Sequence, residues 1–115
     1  KVGEGWVSET LLYQIITHLF PDREISRHHR PDWLEGLELD IYIPSLQLGI
    51  EYQGQQHYQP ISIWGGKGGL IALQERDERK RKLCKALDIT LMEVDFTEPL
   101  TNEHIRTRLN EVRIL

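Results

Sequence analysis

The sequence predicts an α/β domain in which a mixed central β-sheet is flanked by helices, with elements in the order α-β-β-β-α-β-α. Three observations predict it. Leu11, Leu12, Ile15, Ile16 and Leu19 recur at helical spacing near the start. From Leu37 to Gln53 apolar and polar residues alternate strictly, which is the period of a strand with one buried face. After a glycine-rich stretch, a long charged segment over 70–87 reads as a helix, and Ile89 to Phe96 reads as a strand. Strands and helices mixed in this order fit a sheet with helices packed on it.

Each element has a local reason. Residues 1–7 read as an approach to the first helix, Ser8 as its N-cap and Pro21 as its stop. A short strand is expected over 24–29. In the hairpin, Leu39, Ile41 and Ile43 alternate with Glu38, Asp40 and Tyr42. Leu46, Leu48 and Ile50 then alternate with Gln47, Gly49 and Glu51, beyond a turn at Pro44-Ser45. Residues 54–69, rich in glycine and containing Pro60, read as a loop. Thr101 is placed to cap a last helix carrying Ile105, Leu109 and Val112.

Composition sets the bounds. A chain of 115 residues fits one domain, 1–115, able to bury a core without disulfides. It begins at Lys1 rather than Met, so a piece of a longer protein is the expectation. Hydrophobic residues make up 39% and charged residues 28%, the balance of an ordinary soluble domain. The single cysteine, Cys84, excludes an internal disulfide and a cysteine-based zinc cluster within one chain; it reads as core. A reducing, cytoplasmic setting is the simplest expectation. No apolar run approaches the roughly 20 residues of a membrane helix, so no membrane partner is expected. The formal net charge of −4 argues against binding nucleic acid by bulk charge, and is compatible with a local basic patch beside an acidic metal site.

The chemistry concentrates in the hairpin. With a two-residue turn at Pro44-Ser45, Ile43 faces Leu46, Asp40 faces Gly49, and Glu51 lies diagonal to Asp40 on the same face. Diagonal neighbours are about 7–8 Å apart, within reach of long side chains. Leu39, Ile41, Ile43, Leu46, Leu48 and Ile50 form the opposite face, the core. Converging carboxylates repel unless positive charge lies between them. A hard divalent cation suits them, since Mg²⁺ takes one or two carboxylates and keeps several waters. The alternative reading of the same pattern is an exposed polar sheet face.

Asp40, ten intervening residues and then Glu51-Tyr52-Gln53 resembles the signature of the PD-(D/E)xK nuclease superfamily. The element order agrees with its restriction-endonuclease-like core. The stretch Asp40–Tyr58, with Gly54 and His57, looks nearest to the branch of very-short-patch repair endonucleases and related phage and homing nucleases. The resemblance covers roughly residues 8–96. It implies a Mg²⁺- or Mn²⁺-dependent DNA endonuclease hydrolysing phosphodiester bonds. In it Asp40 and Glu51 would hold the metal with the backbone carbonyl of Tyr52. Gln53 stands where the family usually has lysine; glutamine can orient a water but brings no charge. Glu9 corresponds to a first-helix glutamate that many members add to the metal site. A non-catalytic nuclease-like module, binding nucleic acid or a protein, is the rival reading.

On the long helix Leu73, Asp77, Lys80, Cys84 and Leu87 share one stripe. Asp77 and Lys80 thus interrupt an inward face, and related nucleases carry a similar Asp-x-x-Lys there. Lys80 is expected to supply the missing charge, with Asp77 holding it. The alternative is a solvent-edge pair with Lys80 snorkelling. Arg76, Arg79, Lys82 and Arg30 are candidate DNA contacts, of the kind that position a duplex without reading its sequence; a solvated helix face is their bland alternative. His57 is a candidate accessory residue. The Trp64–Gly69 loop lacks the order of a P-loop. Homodimerisation and fusion to further domains stay open.

Overall fold

The computed structural model describes residues 2–55, 58 and 65–115, with side chains from residue 6 onward. Helix α1 runs Val2–Leu19, strand β1 Ser26–His29, β2 Leu39–Ile43, β3 Leu48–Gln53, α2 Gly66–Ala86, β4 Thr90–Asp95 and α3 Asn102–Glu111. The expected order and mixed α/β class are therefore present. The four strands lie in the order β1-β2-β3-β4. The first three are antiparallel neighbours, and β4 runs parallel to β3. Parallel neighbours need a long crossover, which α2 supplies.

Two helix starts differ from expectation. Ser8 lies inside α1, not at its cap, because nothing before it breaks the helix; Gly3 and Gly5 weaken it by only ~1 kcal/mol each. Helix α2 starts inside the glycine run. Gly65 enters it at φ 92°, a left-handed conformation that suits glycine, and its carbonyl accepts from the Gly69 N–H at 3.1 Å. The other ends follow their signals. Phe20 donates the last bond of α1 to Ile16, just ahead of Pro21. The Thr101 hydroxyl caps α3 by accepting from the His104 N–H at 3.1 Å.

The hairpin turn is longer than two residues. Pro44–Leu46 form one 3₁₀ turn, closed by the Gln47 N–H bonding to the Pro44 carbonyl at 3.1 Å, with Gln47 left-handed at φ 47°. Ile43 consequently faces Leu48, Tyr42 faces Gly49 and Ile41 faces Ile50. The register has moved by two residues from the expected one. Because side chains repeat with period two, a shift of two leaves residues on their expected faces and changes their partners; Ile41, Ile43, Leu48 and Ile50 stay on the core face, and Leu39 does not. Continued, this register sets Asp40 opposite Glu51 rather than Gly49. Leu46, expected in the strand, belongs to the turn.

Each face of the sheet carries its own core. Under α1 and α3 lie Leu12, Ile16, Ile41, Ile43, Leu48, Ile50, Met92, Val94, Ile105 and Leu109, all buried. Under α2 lie Leu34, Leu39, Cys84 and Ile89, with Leu83, Leu91 and Tyr42 beside them. Leu39 departs from the expected face. Its methyl carbons come within 3.2–3.4 Å of where a Cβ on Gly49 would stand, so it fills the space that glycine opens. No helix among the described residues is long and apolar enough to cross a membrane.

Candidate metal and phosphodiester site

Beyond the last backbone pair of the hairpin, Ile41 with Ile50, side chains add further links between the two strands. The Asp40 N–H donates to Glu51 Oε2 at 2.8 Å, and the Tyr52 N–H donates to Asp40 Oδ2 at 2.8 Å. Each carboxylate thus satisfies a backbone donor of the other strand, and both are pinned side by side. Glu51 is buried, and Asp40 half-buried. Tyr52 turns its ring to the opposite core and leaves only backbone here.

Lys80 reaches this pair from α2. Its Nζ lies 2.5 Å from Glu51 Oε1. Two carboxylates against one ammonium leave a net negative charge in a desolvated place. Burial, followed by the charge of Glu9, pushes the Asp40 carboxyl up to about 6, against the Tyr52 N–H and Lys80. Burial, followed by the charge of Asp40, pushes Glu51 up to about 7, against Lys80.

Glu9 therefore acts on Asp40 through its field. Its own carboxylate pairs with Arg27 at 3.4 Å and His28 at 3.3 Å. Arg27 is held between the rings of Trp6 and Tyr13. Among the described residues, no three His, Cys, Asp or Glu side chains gather closely enough to hold a cation. The donors that remain are the carboxylates of Asp40 and Glu51. They are hard oxygens carrying uncompensated negative charge, and one or two carboxylates suffice for Mg²⁺ when waters complete its shell. The residues present fit such an ion.

Gln53 follows Glu51 on the same face of β3. Its Nε2 donates to Glu93 Oε2 at 2.7 Å, while its Oε1 is buried and has no partner among the described residues. Glu93, beside Glu51 in the parallel register, is clamped by Arg81: Nε to Oε1 at 2.8 Å and Nη2 to Oε2 at 2.9 Å. Sequence reasoning missed both Glu93 and the grip of Arg81 on it. Glu93 is a polar residue facing inward on a strand, but its link to Gln53 exists only through the β3–β4 register. Asp77 is buried and borders a cleft of about 340 Å³ with Gln53, Tyr58, Gln74, Glu78 and Arg81.

The stripe on α2 ends earlier than expected, since Leu87 caps the helix and is exposed. Of the candidate DNA contacts, Arg79 is bidentate to Glu35 and Arg30 pairs with Glu38 at 3.0 Å. Arg76 and Lys82 are exposed. His57 lies outside the described residues.

Three relatives are viral. The chain is 48% identical over 69 residues to uncharacterized protein 094L of Frog virus 3 (isolate Goorha), an alignment covering 58% of this chain and 44% of that protein. It is 36% identical over 114 residues to uncharacterized protein 307L of Invertebrate iridescent virus 6, covering 84% and 58%. It is 33% identical over 84 residues to uncharacterized protein 033L of Invertebrate iridescent virus 3, covering 72% and 43%. The chain spans about half the length of these relatives. No family model and no solved structure matches it.

Proposed function

We propose that this chain is a restriction-endonuclease-like domain of the PD-(D/E)xK kind that hydrolyses DNA phosphodiesters with Mg²⁺ or Mn²⁺. The observation that carries the reading is the cross-strand lock of Asp40 and Glu51 with Lys80 on Glu51. Asp40, Glu51 and the Tyr52 carbonyl would hold the cation, which when bound polarises the phosphate and acidifies a bound water. Around it the chain's own groups have separate tasks. Lys80 offsets charge building on the phosphate oxygens, where preorganised positive charge is a large part of catalysis. Gln53 orients the attacking water. Arg76 and Lys82 are available for the DNA backbone.

A second reading has one observation in its favour: the Lys80–Glu51 pair partly neutralises the site without a metal. It makes the chain a non-catalytic nuclease-like module that binds nucleic acid or a protein. One experiment separates the two. Purified protein is incubated with plasmid DNA and Mg²⁺ or Mn²⁺ beside Asp40→Ala, and Mn²⁺ binding to both is followed by titration calorimetry. Metal-dependent nicking and a Mn²⁺ isotherm, both lost in Asp40→Ala, support the nuclease. Neither signal from the wild-type chain overturns it and leaves the binding module.

A further inference from the structure

Gln53 is 2% exposed, yet its amide oxygen has no partner among the described residues. A buried polar oxygen without a partner destabilises a fold, and each one in a native structure calls for an explanation. The amide cannot turn to relieve it. Glu93 only accepts, so the nitrogen must face it, and reversing the amide would set Oε1 against a carboxylate. Arg81 grips both oxygens of Glu93 in a fork, which fixes the acceptor that fixes Gln53. Oε1 is thereby held as an acceptor directed away from Glu93. Gln53 also borders the cleft of about 340 Å³, roomy enough for water.

We propose that Arg81 and Glu93 are positioning residues that make Gln53 Oε1 the fixed acceptor for one long-lived water, the water that attacks phosphorus. The water's chemical role rests on the nuclease reading; its presence does not. Accepting one O–H of that water leaves an oxygen lone pair to aim at the phosphate. As the water oxygen bonds to phosphorus, the ester P–O bond breaks. One water proton stays with the new phosphate hydroxyl, and the other reaches the leaving oxygen by way of solvent. Gln53 keeps no proton. A lysine at this position could only donate, so the glutamine performs the opposite hydrogen-bonding task, and the positive charge comes from Lys80 on another element.

The test has two arms. In nuclear magnetic resonance of the labelled wild-type chain, the Gln53 side-chain amide should exchange slowly and show cross-relaxation with a long-lived water. Glu93→Ala should abolish both signals while the Val94 and Ile41 methyl resonances stay in place. Absence of the water in the wild type, or its survival in Glu93→Ala, overturns the inference. In single-turnover cleavage with Mn²⁺, Gln53→Ala and Glu93→Ala should each slow the reaction by about 10²-fold, the scale of a misplaced reactant. DNA affinity should not change. The double variant should be no slower than Gln53→Ala, and Glu93→Gln, which keeps an acceptor oxygen, should recover much of the rate. Losses that multiply in the double variant would mean two independent roles and would sink the proposal. A wild-type chain that cuts no DNA brings down the nuclease reading, and the resonance arm then decides the bound water alone.

Discussion

The two faces of the β2–β3 hairpin are built from the same backbone and do opposite things. Toward α1 and α3 they present Ile41, Ile43, Leu48 and Ile50, each fully buried among aliphatic neighbours. Toward α2 they present half-buried Asp40 with buried Glu51 and Gln53: two carboxylates against the one ammonium of Lys80, and an amide oxygen with no partner among the described residues. Burial of apolar surface stabilises by roughly 25 cal/mol per Å². Burial of a charge costs free energy unless it is paired and fully hydrogen-bonded. The contrast teaches that the first face holds the fold while the second tolerates a destabilising arrangement, and such arrangements concentrate where chemistry is done.

The largest expected effect tests the claim that stability resides on one face. Ile50→Ala should destabilise by ~2–5 kcal/mol, the range for a buried isoleucine truncated to alanine. Asp40→Asn keeps an oxygen for the Tyr52 N–H and removes a charge beside Glu51, so at pH 8 it should be no less stable than wild type. Urea denaturation of both compares the faces directly. A loss in Asp40→Asn as large as that in Ile50→Ala would erase the distinction.

Next comes Lys80 against Lys82. Lys80 touches Glu51, whereas Lys82 is exposed two residues along. In single-turnover cleavage Lys80→Ala should lose about 10²-fold or more. Lys82→Ala should chiefly weaken DNA binding and reduce its salt dependence. Equal, small losses would make Lys80 an ordinary helix cation and favour the binding module.

The smallest effect is a slope. Asp40 and Glu51 have carboxyls raised to about 6 and about 7 in the folded chain, from ordinary values near 4. The folded state therefore holds these protons more tightly than the unfolded one. Their stabilising contribution is complete below the ordinary values and is lost as pH rises through 6 and 7. Without divalent cation, unfolding free energy should fall between pH 5 and pH 7, by at most ~1.4 kcal/mol per pH unit for each group, and the melting temperature should fall with it. Asp40→Asn should flatten this slope, and saturating Mn²⁺ should counter it by binding the charged form. A wild-type profile that matches Asp40→Asn across the window would show the pair to be unstrained.

Much of this arrangement is legible in the chain, for a physical reason. Period-two alternation is local, so it assigned Asp40, Glu51 and Gln53 to one face even though the turn length was misjudged. A two-residue error in register preserves parity. Helical spacing is equally local, and it set Lys80 on the inward stripe of α2. What could not be read depends on distant partners. Leu39 takes the α2 side because Gly49, on another strand, leaves room there. Glu93 meets Gln53 only after a crossover helix has brought β4 beside β3. Gln47 adopts a left-handed backbone that its side chain does not announce.

The reciprocal bonds between the carboxylates and the opposite strand's amides have a consequence for descent. Asp40 and Glu51 serve as rungs of the sheet, so on the proposed nuclease reading a lineage that abandoned the reaction would still be selected to retain an acceptor oxygen at each position, at these lengths, in order to fold. Gln53 Oε1 bonds nothing among the described residues, and Lys80 answers a charge on Glu51. Idle descendants should therefore drift first at Gln53 and Lys80, and the persistence of an acid or its amide at positions 40 and 51 in a distant copy is a record of architecture before it is a record of activity.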